Sequence, residues 1–129
     1  MVRDASRTVS TSSHKGLIFI ADDEATFRGS IQDALEDEGY LVLSARSGSE
    51  ALARMHGFSG AALAIVDLNM PGMNGWELIE TMRASENLTQ VRILVVSSHA
   101  GEPVVGADRL LQKPLKLKDL LRTVEELTS

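Results

Sequence analysis

There is no cysteine among these 129 residues. Disulfides, thiolate zinc sites and cysteine nucleophiles are thereby excluded together. Nor is there a surplus of basic groups, since 13 Lys and Arg stand against 18 Asp and Glu for a formal charge of -5. A nucleic-acid or anionic membrane surface needs clustered Lys and Arg, so neither partner is expected. No apolar run approaches the roughly 20 residues of a membrane span, and Met1–Gly16 (MVRDASRTVSTSSHKG) has no apolar centre of signal-peptide type. The loops GxxxxGK[ST] and GxGxxG, which cradle nucleotide phosphates, are also missing. These absences leave an acidic, cytoplasmic protein of one ordinary domain, long enough for one core but not two.

Residues 1–16 are rich in Ser, Thr and charge and offer no apolar face, so they read as a flexible N-terminal tail before a domain at 17–129. From Leu17 onward short apolar runs alternate with helical patterns. The runs are LIFIA (Leu17–Ala21), YLVLSA (Tyr40–Ala45), ALAIV (Ala62–Val66), RILVVS (Arg92–Ser97) and RLLQ (Arg109–Gln112). Between them, Phe27, Ile31, Ala34 and Leu35 follow helical spacing, as do Ala51, Leu52 and Met55, then Leu78, Ile79 and Met82. A last stripe joins Leu117, Leu120, Leu121, Val124 and Leu127. Strands linked by helical crossovers predict an α/β protein with a doubly wound parallel sheet of five strands, covered on both faces.

In such sheets ligands bind beyond the carboxyl ends of the strands. LIFIA runs into Asp22-Asp23, ALAIV into Asp67, RILVV into Ser97-Ser98, and RLLQ into Lys113-Pro114. Any one of these acids has an ordinary explanation, because Asp22-Asp23-Glu24 before Ala25 would cap a helix well. Together they place three carboxylates, a hydroxyl and an ammonium at one edge. Crowded acids raise one another's pKa unless a cation sits among them, and a hard divalent ion, Mg²⁺ above all, suits an all-oxygen set. Mg²⁺ leaves coordination positions for water and a phosphate oxygen, which suggests phosphoryl chemistry. Without a nucleotide cradle the phosphoryl group must come from elsewhere, and an aspartate can itself accept it. Lys113 and Ser97 would then meet the equatorial oxygens.

The segments IFIADDE, IVDLNMPGMNG, ILVVSS and LLQKPL, in this order and about this spacing, resemble the receiver domain of bacterial two-component response regulators, of the chemotaxis-regulator type. The resemblance covers about Leu17 to Leu127. It implies a flavodoxin-like strand order 2-1-3-4-5. It implies that Asp67 is the phosphoacceptor, and that Asp23, Asp67 and the main-chain carbonyl of Asn69 hold Mg²⁺, with Asp22 acting largely through water. Ser97 fills the Ser/Thr switch position, and Lys113 the family's lysine, whose bond to Pro114 is cis. The phosphodonor would be the phosphohistidine of a sensor histidine kinase or phosphotransfer protein, or a small phosphodonor. The output would be altered binding of a downstream protein target. Such a chain is a signalling domain with self-phosphotransfer and slow autodephosphorylation, not an enzyme in the usual sense. Asn69 and His99, each two residues past Asp67 or Ser97, are candidates for tuning the loss of the phosphoryl group. His14 and His56 read as surface residues, and Trp76 as packing at the start of the third helix.

Two departures from the family stand out. The position three before the lysine, commonly Tyr or Phe, is Leu110, so a ring coupled to Ser97 is absent. Only HAGEPVVGAD separates Ser98 from Arg109, whereas a parallel crossover with its helix needs about 10 to 12 residues or more. With Pro103 and two glycines in it, this stretch predicts a short or missing fourth helix and the least stable part of the fold. The expectation is a stand-alone, monomeric receiver ending at Ser129. The rival reading is a receiver-like interaction module that works without phosphorylation. A metal-dependent aspartyl phosphatase would want an acid where Asn69 stands, and a flavin-binding domain would want a phosphate loop where ADDEA stands.

Overall fold

The computed structural model describes residues 14–98 and 103–129; most of the expected tail, and His99, lie outside the described residues. Five parallel strands appear where the apolar runs predict them: β1 (Leu17–Ala21), β2 (Leu41–Ala45), β3 (Leu63–Asp67), β4 (Arg92–Ser97) and β5 (Arg109–Gln112). Their order is β2-β1-β3-β4-β5. The third strand sits one residue later than its apolar run suggests, so Asp67 is its last residue and not the first beyond it. Four helices are described: α1 (Ala25–Asp37), α2 (Gly48–Met55), α3 (Gly75–Ala84) and α4 (Leu117–Thr128). Lys15 and Gly16 already join the sheet side of the molecule, through Lys15 N–H to Gly39 O at 2.9 Å and Leu41 N–H to Gly16 O at 3.0 Å.

Side chains alternate across a strand, so the sheet divides the core in two. Leu17, Phe19, Ala64, Val66, Ile93 and Val95 pack on one face with Ala51, Met55, Leu78, Ile79 and Met82 of α2 and α3. Ile18, Ile20, Leu63, Ile65, Leu94 and Val96 pack on the other with Ile31, Leu35, Leu120, Val124 and Leu127 of α1 and α4. Leu117, expected on that stripe, is instead 43% exposed in the first turn of α4. By the same alternation Asp67 falls on the α1/α4 side, and Ser97 on the α2/α3 side with Leu110, which stands beside Val95 in β5.

The coverage of both faces fails at β5. No helix is described between β4 and β5, and Arg109, Leu110 and Gln112 are exposed, Leu110 by 36%. The described part of that crossover is nevertheless anchored, contrary to the weakness its composition suggests. Val104 and Ala107 pack on the α2/α3 core. Arg83, in the last turn of α3, donates from Nε to Gly106 O at 2.9 Å and from one terminal nitrogen to Thr89 O at 2.8 Å and Val91 O at 2.7 Å. Its other terminal nitrogen meets Asp108 Oδ2 at 3.1 Å. Asp108 Oδ2 also accepts the Ile93 N–H at 2.7 Å, which ties the crossover to the start of β4. Gly106 has φ +94, and a Cβ there would lie 2.9 Å from Ile79 Cγ2, so the turn is open to glycine on both counts. One guanidinium thus satisfies three carbonyls and a carboxylate that a helix would otherwise have organised. Arg83→Met should remove these bonds while keeping the aliphatic stem. Given about 1 kcal/mol per bond and more to charged groups, it should lower stability by about 2–3 kcal/mol. Denaturant unfolding checks the loss, and hydrogen exchange should show faster exchange at Ile93 and Ala107–Asp108.

Candidate functional site

The site is built where β1 and β3 end. Asp22 follows β1 directly and extends its pairing, with its N–H on Ala45 O at 3.0 Å. Asp22 is fully buried, and Asp67, at 5% exposure, nearly so; Asp23 is exposed. The chain beyond β3 turns at once through Gly72, whose φ of +71 favours glycine, into α3. The first residue of α3, Gly75, is pressed against the end of β3. A Cβ there would collide with the Asp67 carbonyl oxygen and lie 2.7 Å from Leu68 Cα. A capping box of Asn74 and Glu77 fixes that helix start. Asp67 is therefore held by the strand before it and the helix packed on it.

The three carboxylates expected to meet do so. Among the described residues, Asp22, Asp23 and Asp67 each offer a carboxylate oxygen, all within 4.8 Å of one another. Lys113 reaches across from the end of β5, its N–H bonded to Ser97 O at 2.8 Å and its peptide bond to Pro114 cis. Its Nζ lies 2.9 Å from Asp22 Oδ2, 3.5 Å from Glu24 Oε1 and 4.0 Å from Asp67 Oδ2. Asp22 does not cap α1 as its position suggested. Glu24 is the cap residue and makes no side-chain capping bond, while Asp22 Oδ1 accepts the Glu24 N–H at 2.9 Å in a local turn. The Asp22 carboxylate is thus spent on Lys113 and on its own loop.

Around these groups lies a pocket of about 460 Å³ lined by Asp23, Glu24, Phe27, Asp67, Asn69, Ser98, Lys113, Pro114 and Leu115. Asn69 is exposed there, and its N–H donates to Asp67 Oδ1 at 3.3 Å. Ser97 is buried and contributes its carbonyl to Lys113, whereas Ser98 lines the pocket. Leu110 lies one strand away on the α2/α3 side, off the pocket lining. His56 is exposed, as expected, but His14 is half-buried and accepts the Gly16 N–H on Nδ1 at 3.1 Å. Trp76 sits at the start of α3, partly exposed and away from the acids.

The electrostatics follow from the crowding. Burial, then the charge of Asp22, push the Asp67 carboxyl up from its ordinary 3.8 to about 6, against the opposing pull of Lys113 and the Asn69 N–H. Burial alone would lower the Lys113 ammonium, but its hydrogen bond to Asp22 and the charges of Asp22, Asp67 and Glu24 outweigh that and raise it. A hard divalent cation fits this set, since every side-chain donor is a carboxylate oxygen and the excess negative charge is concentrated on them.

The match to known proteins agrees with the geometry. Residues 18–125 match the family model of the response regulator receiver domain. The chain is 30% identical to the chemotaxis protein CheY1 of Helicobacter pylori over 83% of its own length and 94% of that protein's. It is 31% identical to the two-component response regulator ARR15 of Arabidopsis thaliana, covering 96% of this chain and 68% of that one. Against the uncharacterized transcriptional regulatory protein YkoG of Bacillus subtilis it is 31% identical, but spans only 50% of it. In structure it is similar to the chemotaxis response regulator CheY4 of Vibrio cholerae, with TM-score 0.81 and 29% identity over 87% of this chain and 98% of that one. It also resembles TrrA of Thermotoga maritima, solved in complex with Mg(2+)-BeF, with TM-score 0.77 and 26% identity over the same shares. This chain belongs to the response regulator receiver domain family.

Three pocket residues receive no role at the site from the sequence: Glu24 and Leu115, which end the segments IFIADDE and LLQKPL, and Phe27, which reads only as part of a helical stripe. A signal for Phe27 exists, since it lies four residues after Asp23, and helical side chains lean toward the helix N-terminus, here toward the strand ends. The shifted Asp67 has a measurable consequence in metal-free protein. Its folded-state pKa lies above the unfolded value, so its favourable contribution is complete below pH 3.8 and lost as pH rises through about 6. Asp67→Asn should therefore stabilise the metal-free chain at pH 8 by about 1–2 kcal/mol and leave it little changed at pH 4. Thermal or denaturant unfolding in a chelator at both pH values checks this.

Proposed function

We propose that this receiver domain accepts a phosphoryl group on Asp67 and thereby changes its binding to a downstream protein. The observation that carries the reading is the meeting of Asp22, Asp23 and Asp67 within 4.8 Å, with the Lys113 ammonium 4.0 Å from Asp67 Oδ2, on a pocket open to a donor. An Asp67 oxygen attacks phosphorus of a phosphohistidine. The P–N bond breaks with its electron pair returning to the imidazole, and an acyl phosphate forms on Asp67. Mg²⁺, held by Asp23, Asp67 and the Asn69 carbonyl, with Asp22 acting largely through water, would neutralise charge on the transferring group. Lys113 needs only a short shift from Asp22 to place its charge beside the new oxygens. Ser97, next to Lys113 through its carbonyl, is the candidate for reporting the change, and Asn69 and His99 for tuning hydrolysis. The phosphodonor would be a sensor histidine kinase or phosphotransfer protein, in the cytoplasm, and the receiver would act as a monomer. Among the described residues no helix is long and apolar enough to cross a membrane.

Incubation with Mg²⁺ and phosphoramidate or acetyl phosphate should add one phosphoryl group, stable to acid and labile to base, seen by intact-mass measurement. Asp67→Asn should abolish it, and persistent labelling of that variant would sink the assignment. No labelling of the wild type by any donor would favour an interaction module that works without phosphorylation. The anchored crossover and the exposed Leu110 suit that second reading.

Mg²⁺ should also raise thermal stability at neutral pH, because it binds the folded state and relieves carboxylate repulsion. Asp23→Asn should diminish that gain more than Asp22→Asn, since Asp22 is already engaged by Lys113. Equal losses in a thermal-shift titration would mean that both ligate directly.

A further inference from the structure

We propose that Phe27 is a positioning residue: its ring is the seat that holds the Lys113 ammonium between Asp22 and Asp67. The contact itself stands on geometry, while its consequence for phosphoryl capture rests on the reading of Asp67 as acceptor. Lys113 Nζ lies 4.2 Å from the centroid of the Phe27 ring, well inside the range of a cation–π attraction. The same nitrogen is 2.9 Å from Asp22 and 4.0 Å from Asp67, and its side chain is only 15% exposed. Little water screens the attraction, so it falls in the stronger part of its range.

The site poses a problem that the ring solves. A lysine stem has four rotatable carbons, and its ammonium is a point charge that can settle on any of several acids. Glu24, 3.5 Å away and largely exposed, competes for it from the solvent side. Asp22 alone would draw it away from Asp67. An aromatic face attracts the cation without fixing it to one oxygen, so the ammonium can shift between neighbouring acceptors while staying at the same depth. The placement follows from the helix. Phe27 lies in the first turn of α1, half-buried against the core that Ile31 and Leu35 complete, and it forms part of the pocket wall with Pro114 and Leu115. A residue needed only for packing on that core could be any large aliphatic. The difference between a ring and an aliphatic side chain separates the two roles.

Phe27→Leu keeps the apolar bulk and loses the ring face, and Phe27→Tyr keeps both. In ¹³C-labelled protein without metal or donor, the Lys113 Hε resonances, assigned by their absence in Lys113→Met, should be shifted upfield by the ring in wild type and Phe27→Tyr. In Phe27→Leu they should return toward the position of an exposed lysine. With Mg²⁺ and phosphoramidate, the initial labelling rate should fall about three- to ten-fold in Phe27→Leu and stay near wild type in Phe27→Tyr. In a Lys113→Met background the Leu substitution should have no further effect, because its partner is already gone. Thermal unfolding verifies that each variant is folded. Equal Hε shifts in wild type and Phe27→Leu would overturn the seat. A rate loss of the same size with and without Lys113 would overturn it too, by showing that Phe27 acts through packing alone. If the wild type accepts no phosphoryl group, the acceptor reading and the capture role fall together, and the Hε shifts still decide whether the ring holds the ammonium.

Discussion

Two carboxylates with almost no contact with solvent, Asp22 and Asp67, stand side by side at the carboxyl ends of adjacent strands, and a third, Asp23, stands beside them. Charge held out of water is costly unless compensated, and like charges together add to that cost. The rest of the edge is organised to meet this constraint. Lys113 crosses from β5 to Asp22, Glu24 N–H donates to the other Asp22 oxygen, and Asn69 N–H donates to Asp67. Even so, Asp67 stays above the usual carboxylate range. One ammonium cannot balance three acids, and the remaining negative charge is concentrated on carboxylate oxygens, a donor set that suits a hard divalent cation.

The backbone around the acids is shaped by the same need. Gly75 lets α3 begin against the Asp67 carbonyl, where a methyl group would have to push the helix off the strand. The parallel sheet supplies the rest: its strands run in one direction, so the ends of β1, β3, β4 and β5 reach one edge, and residues far apart in sequence meet there. Asp22 and Lys113 are hydrogen-bonded across a separation of 91 residues. A site of this kind depends on the whole sheet being in register, which is why its geometry and the stability of the fold are hard to separate.

How much of this is legible in the sequence depends on whether a residue's role is local or shared. β1, β3 and β4 are legible because burial on both faces makes each a nearly continuous apolar run, and LIFIA, RILVVS and the largely exposed RLLQ fall within the observed bounds to the residue. The acids are legible because polar residues interrupt those runs at their ends. β3 is displaced by one residue since Asp67, though charged, still pairs with Val96 in the ladder, and charge reads as an end where hydrogen bonding continues. The exposure of β5 and of Leu117 is hidden, because apolar residues at a sheet edge look like any others. Arg83 is hidden more thoroughly. A basic residue in the last turn of a helix has an ordinary role there, and nothing local shows that its partners lie on two other segments, Thr89 and Val91 before β4 and Gly106 and Asp108 before β5.

Arg83 and Phe27 also show how the shortened crossover alters the division of labour within the fold. In the absence of a described helix between β4 and β5, the chain around Gly106 and Asp108 is held by hydrogen bonds to a single guanidinium, with Val104 and Ala107 packed on the core beside them. Hydrogen bonds of fixed direction tolerate less displacement than an apolar contact, which can slide. Residues 103–108 are therefore poorly suited to move as a unit. The Lys113 side chain lies between Asp22 and Asp67 over the Phe27 ring. A change of charge on Asp67 would be felt first at Lys113. Lys113 in turn touches Ser97 through its N–H bond to the Ser97 carbonyl, and α1 through the Phe27 ring. The α1 side of the molecule, and not the exposed β5 edge alone, thus lies one contact away from the acids.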